Sequence, residues 1–287
     1  MKRLIVNADD FGLSRGINRA ITEAHHRGIV TSTTLMASAP AFDDAVHLAK
    51  QGSTLKVGCH LVLLRGSLLG SPDSIPSLYI QRRGKSVPRT GLDEFALDAW
   101  RGRVHAADIS REVRAQIERI RASGIEPSHV DSHKHSHVLP QVFRPMLRTA
   151  HELGIRAVRN PFEPGVRFST LLQRSGLWKR HAATRVMRTW HSAFLRCAKD
   201  LGMVTTDGTI GISSTGSLDQ RLLTELLRFL PGGTWELICH PACDGPELNG
   251  LTRLGRSGEV ERELLVSEET KQAISVAGIS LITYADL

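Results

Sequence analysis

Short apolar runs alternate along this chain with longer segments of helical periodicity. Leu4-Ile5-Val6 reads as a buried strand that breaks off in Asn7-Ala8-Asp9-Asp10-Phe11-Gly12. Ser14 is placed to cap a helix through Ile17, Ala20, Ile21 and Ala24 that closes near Gly28. The alternation continues with a Thr-rich strand from Thr31 to Ala37, a helix from Pro40 to Lys50 and a strand from Leu55 to Leu63. Helices are expected over Asp93–Trp100, Asp108–Ala122 and Pro140–Gly154, the second with Ile109, Val113, Ile117 and Ile120 at helical spacing. Strands are expected at Pro127–Val130, at Ala157–Arg159 ending in Asn160-Pro161, and, weakly, at Val204–Gly208. A helix over Leu218–Leu230, a strand over Thr234–Cys239, a helix over Leu264–Ala277 and an eighth strand over Ser280–Tyr284 complete the pattern.

Strand and helix alternating about eight times build a parallel sheet with right-handed crossovers. The 287 residues suit a (β/α) TIM-like barrel with insertions, read as one domain over 1–287; no GxGxxG follows the first strand to favour an open doubly wound sheet. Two stretches interrupt the pattern. Arg65 to Thr90 is long, irregular and rich in Gly, Pro and Ser, and is expected to be a mobile insertion or a cover for a cleft. Val166 to Lys199 carries eight Arg and Lys with no Asp or Glu, interleaved with apolar residues. It is expected to be helical: a solvated helix pair, a face for anionic lipid or a lipid-linked substrate, or a homodimer contact. Gly245 to Glu259 reads as polar loop.

Composition is that of a globular protein, 41% hydrophobic and 23% charged. The N-terminal apolar run is too short for a signal peptide, and a cytoplasmic protein is expected. Cys59, Cys197, Cys239 and Cys243 form no CxxC pair and are expected to be reduced thiols. The net charge of +8 raises the question of nucleic acid, but no RNA-binding aromatic motif, zinc finger or helix-turn-helix pattern accompanies it, so none is expected as partner.

The chemistry lies where polar residues meet strand ends. Asp9 and Asp10 end the first strand, His60 the third, Asp131 and His133 the fourth, and His240 the seventh. In a parallel barrel these ends share the rim on which active sites are built. His133, His135 and His137 alternate beside Asp131, a group of residue types that suits a metal site.

The segments Asn7-Ala8-Asp9-Asp10-Phe11-Gly12, Gly58-Cys59-His60-Leu61, Asp131-Ser132-His133-Lys134-His135-Ser136-His137 and Cys239-His240-Pro241 resemble, in order, the motifs of the YdjC-like carbohydrate deacetylases, which include chitooligosaccharide deacetylases. Val62-Leu63-Leu64-Arg65-Gly66 and Arg156-Ala157-Val158-Arg159 resemble the branch associated with hopanoid biosynthesis. Ala242 stands where many members carry Gly.

The resemblance implies a distorted β/α barrel related to polysaccharide deacetylases, and one divalent metal held by Asp10, His60 and His133. Asp9 is then the expected catalytic base. His240 is the expected acid, with His137 as the other candidate. Asp131, His135, His137 and Asn160 are expected around the ligands or the substrate. Two imidazoles and a carboxylate favour Zn²⁺, with Mg²⁺, Mn²⁺, Co²⁺ and Ni²⁺ as the other ions considered. The expected reaction removes the N-acetyl group from an amino-sugar carbohydrate or glycolipid. The competing readings are another metal-dependent hydrolase, acting on a phosphoester or a different amide, and a non-enzymatic basic module at a membrane surface.

Overall fold

The computed structural model describes residues 1–51, 54–164, 178–243, 245, 248 and 255–287. The chain opens with β1 (Lys2–Phe11), α1 (Arg15–His26), β2 (Ser32–Leu35), α2 (Phe42–Gln51) and β3 (Lys56–Leu61). A hairpin, β4 (Tyr79–Arg82) and β5 (Lys85–Pro88), precedes α3 (Leu92–Trp100) and α4 (Ala106–Ala122). Next come β6 (Val130–Ser132), α5 (Pro140–Glu152) and β7 (Ala157–Val158), then α6 (Trp178–Met187) and α7 (His191–Asp200). The chain finishes with β8 (Val204–Thr205), β9 (Gly208–Ile210), α8 (Gln220–Arg228), β10 (Gly233–Cys239), α9 (Gly255–Val266), α10 (Glu268–Val276) and β11 (Ile279–Ile282).

All strands except the hairpin join one sheet in the order β8-β7-β6-β3-β2-β1-β10-β9, with β11 also on β1. Its pairings are parallel. The sheet curls into a nearly closed barrel. Thr209 N donates to Phe162 O at 3.2 Å and Thr209 Oγ1 to Asn160 O at 2.7 Å, tying β9 to the chain that leaves β7.

Strand alternation separates two environments. In β1, Leu4, Val6 and Ala8 join the main apolar cluster, where Ile17 and Ile21 of α1 pack on the sheet. The Leu, Val and Ile side chains among these contribute roughly 1.5–3 kcal/mol each. The alternate residues Ile5, Asn7 and Asp9 take no part in that cluster. Ile5 packs with Ala157 and Tyr284 instead, and Asp9 meets Arg159 from β7's end. The barrel interior is therefore largely polar, unlike the branched apolar layers common in such barrels. Cys59 and Cys239 lie on the apolar, helix-facing side.

The structure changes several expected elements. The stretch from Arg65 to Thr90 is not an irregular loop: it holds the β4–β5 hairpin and a 3-10 turn at Pro76–Leu78. Buried polar groups on α4 satisfy its backbone. Glu112 accepts from Leu69 N and Gly70 N, each at 2.8 Å, Gln116 clamps Val62 N and O at 2.9 and 2.7 Å, and Asp108 accepts from Ser77 N at 2.8 Å. The eighth expected strand exists, but β11 pairs only with Lys2–Ile5 of β1, and from Asn7 onward β2 takes over that edge.

The helix expected over Leu264–Ala277 is two helices. They break where Ser267 turns extended and its Oγ accepts from Thr270 N at 3.2 Å. The first of them begins at Gly255, inside the expected polar loop. Of the expected basic insertion, residues 166–177 lie outside the described residues; the remainder is helical, and Phe194 of α7 packs edge-on against Phe143 of α5. Among the described residues no helix is long and apolar enough to cross a membrane.

Candidate active site

The site is built in tiers inside the barrel. At the bottom, the His129 ring stacks on Tyr284 with centroids 3.6 Å apart. Gly58 of β3 makes room for that ring, since a Cβ there would lie 2.4 Å from it. The Tyr284 hydroxyl donates to Glu236 Oε2 at 2.5 Å, and Thr209 Oγ1 lies 3.3 Å from the same oxygen.

Above Glu236 lies Arg159, fully buried, which serves three carboxylates. It donates to Glu236 Oε1 at 2.9 and 2.6 Å and to both oxygens of Asp9 at 2.8 and 2.6 Å, and it also pairs with Asp131. Burial alone would raise the Asp9 carboxyl, but Arg159 outweighs it and holds that group well below the usual carboxylate range. Asn7 Nδ2 adds a hydrogen bond to Asp9 Oδ1 at 2.9 Å.

At the rim, Asp10, His60 and His133 converge. Asp10 Oδ1 lies 2.9 Å from His133 Nδ1 and 3.4 Å from His60 Nε2. Adjacent residues of a regular strand face opposite ways. Here the β1–β2 register shifts between Ala8 and Phe11, and Asp10 takes φ +66°, so both carboxylates reach the interior. His60 and Asp131 are register partners on β3 and β6, and Asp131 Oδ1 lies 2.8 Å from His60 Nδ1. Burial would lower the His60 imidazole, but Asp131 and Asp10 push it up to about 10. Burial raises and the two histidines lower the Asp10 carboxyl, which ends well below its ordinary value.

One ligand atom from each of Asp10, His60 and His133 lies within 4.8 Å of the others, and all three residues are buried. This donor set fits one divalent ion: two imidazoles and a carboxylate from separate strands, with His60 oriented by Asp131. Asp9, His60 and Asp131 form a second convergent group. There the Arg159 guanidinium already bridges Asp9 and Asp131 and supplies the positive charge.

The remaining candidates divide. His240 follows β10 directly, and its Nε2 lies 3.9 Å from Asp9 Oδ2. Its backbone N–H donates to buried Glu261 of α9 at 2.6 Å, and Gly258 on that helix sits against the Ala242 methyl. That glycine accommodates the alanine two residues beyond His240.

His133–Val138 is a 3-10 turn in which Lys134 and His135 take left-handed backbone, so the alternating histidines do not share a face. His133 alone joins Asp10. His137 is buried with Nδ1 2.6 Å from Ser132 Oγ; burial and Arg159 push it down to about 3. His135 is half-buried, and its Nδ1 has no hydrogen-bond partner among the described residues. Asn160 holds the turn after β7, donating to Thr206 O at 2.9 Å and accepting from Phe162 N at 3.2 Å.

Sequence reasoning did not single out Arg159, Glu236, Tyr284 or Thr34, whose Oγ1 lies 3.1 Å from His60 Nδ1. A signal existed for two of them: Arg159 and Glu236 are charged residues in otherwise apolar strand segments, and a charge there must be buried with a partner.

A family model described as YdjC-like protein matches residues 3–275. A carbohydrate deacetylase of Brevibacillus brevis is 33% identical over 290 aligned positions, covering 99% of each chain. A chitooligosaccharide deacetylase of Klebsiella pneumoniae is 32% identical, covering 99% of this chain and 98% of its own. Among solved structures, a candidate cellobiose-phosphate cleavage protein of Enterococcus faecalis superposes with TM-score 0.79 at 26% identity, covering 99% of this chain and 98% of that one.

Proposed function

The chain belongs to the YdjC-like family, and on that footing we propose that it is a metal-dependent carbohydrate N-deacetylase. Its reaction removes the acetyl group from an amino-sugar-containing carbohydrate or glycolipid. The observation that carries this reading is the convergence of Asp10, His60 and His133 directly beside Asp9 and His240. The deacetylases among the relatives support the same class of substrate.

Asp10, His60 and His133 would hold one divalent ion, Zn²⁺ by ligand type. When bound, the ion supplies charge that polarises the acetamide carbonyl and acidifies the attacking water. Asp9, kept ionised by Arg159, takes the proton of the water as its oxygen bonds to the carbonyl carbon. Asn7 and Arg159 fix the direction of that carboxylate. His240 delivers a proton to the sugar nitrogen as the C–N bond breaks, leaving acetate and a free amine. His137 is the weaker acid candidate, because burial and Arg159 push its imidazole down to about 3, disfavouring the imidazolium form that would act as acid. Asp131 orients His60.

In this reading residues 1–287 act as one domain in the cytoplasm. The glycolipid alternative rests on the basic, apolar sequence from Val166 to Lys199, and α6 and α7 are the elements through which a peripheral membrane contact or a homodimer would form. The test is acetate release from N-acetylglucosamine oligomers and from N-acetylated glycolipids by metal-reconstituted protein. Absence of acetate from both classes would sink the proposal.

A further inference from the structure

A cleft of about 360 Å³ opens between α5 and α7, away from the rim residues. Its volume is at the lower end of the roughly 300–1,000 Å³ of small-molecule sites. Arg144 and Arg148 stand one helical turn apart on α5, and Arg196 faces them from α7. Among the described residues none of these guanidiniums has a hydrogen-bond or ion-pair partner. Other arginines nearby do: Arg114 pairs with Glu152 at 3.0 Å, and Arg121 pairs with Glu126. The lining holds a single carboxylate, Asp200, against the three guanidiniums, and Leu201 adds apolar wall.

Three guanidiniums lining one cleft outnumber its single carboxylate, Asp200, and an anion that can serve all three offsets that excess of positive charge. A carboxylate offers two oxygens, enough for one fork-shaped guanidinium. A phosphoryl group offers more oxygens in a tetrahedral array and accepts from several guanidiniums together. We propose that the α5–α7 cleft is a binding site for a phosphoryl anion, held by Arg144, Arg148 and Arg196. The phosphoryl group comes either from a soluble phosphate ester or from a phospholipid headgroup. The site is independent of the acetyl chemistry at the rim.

The test uses the full-length protein in two arms. In the first, inorganic phosphate is titrated calorimetrically. In the second, the protein is sedimented with phosphatidylcholine vesicles with and without phosphatidylglycerol. Arg144→Ala with Arg148→Ala, and separately Arg196→Ala, should weaken phosphate binding by roughly tenfold per guanidinium removed. Asp200→Asn should strengthen it. These side chains are exposed, and retained far-UV circular dichroism checks that the variants fold.

Phosphate binding that depends on the arginines, without sedimentation, identifies a soluble ester. Sedimentation that requires phosphatidylglycerol and the same arginines identifies the headgroup. Binding in neither arm overturns the proposal. So does an equal loss from Arg101→Ala with Arg103→Ala, elsewhere on the surface, which would trace the effect to the net charge of +8 alone.

Discussion

Arg159 grips both oxygens of Asp9, with Nη1 2.8 Å from Oδ2 and Nη2 2.6 Å from Oδ1, and neither residue is more than 2% exposed. The same guanidinium serves Glu236 and Asp131. Removing it leaves three buried carboxylates facing one another. Arg159→Met should cost about 3–5 kcal/mol, the usual penalty for breaking a buried pair. Arg159→Lys should recover little of this, because one ammonium cannot make the forked contacts. Urea unfolding of the three proteins measures both effects.

The pH dependence of that pair has a definite sign. Asp9 titrates in the folded chain below its unfolded value of about 3.9. Its contribution to stability is therefore fully present above pH 4 and is lost as pH falls toward the folded value. The urea midpoint of the native chain should drop below pH 4. Asp9→Asn, which has no such proton to gain, should show a shallower drop.

Asp9→Asn and His240→Ala should each retain bound metal while losing turnover, by about 10²–10⁴-fold for a group that moves a proton in the transition state. Metal content by atomic emission and acetate release, measured on the same preparations, decide this. An active Asp9→Asn protein would remove Asp9 from its role as base.

Asp10→Ala and His60→Ala should behave in the opposite order, losing metal first and activity as a consequence. Asp10→Gly is the more informative variant, since glycine accepts the φ of +66° without strain. It should keep the fold of the β1 bulge and still fail to bind metal in equilibrium dialysis.

Gly58→Ala tests the lower tier. Its new methyl would lie 2.4 Å from the His129 ring, and overpacking of this kind costs about 1–3 kcal/mol. His129→Ala in the same chain should restore part of the lost melting temperature by vacating the space.

The strand ends carrying Asp9, Asp10, His60, Asp131, His133 and His240 were legible because strand exits in a parallel sheet share a rim, whatever their separation in sequence. The role of Gly58 and the identity of Arg159 as the common partner were not, since both depend on which interior positions fall at the same height. The path of the histidine run was not legible for a local reason: left-handed backbone at Lys134 and His135 breaks the spacing that sequence alternation implies. The stretch from Arg65 to Thr90 misled for a distant one. Its order comes from Asp108, Glu112 and Gln116 on α4, and helical periodicity gives no hint that buried polar residues on that helix bind a loop.

The first strand finds its partners late. Arg3 of β1 lies beside Thr234 of β10, 231 residues on, and Lys2–Ile5 also pair with β11 near the chain's end. On the ribosome these edges stay open until β10 and β11 have emerged, and such long-range parallel pairing is slow to form. The barrel therefore cannot close before β10 and β11 are made, and a nascent β1 will need shielding from other chains in the interval.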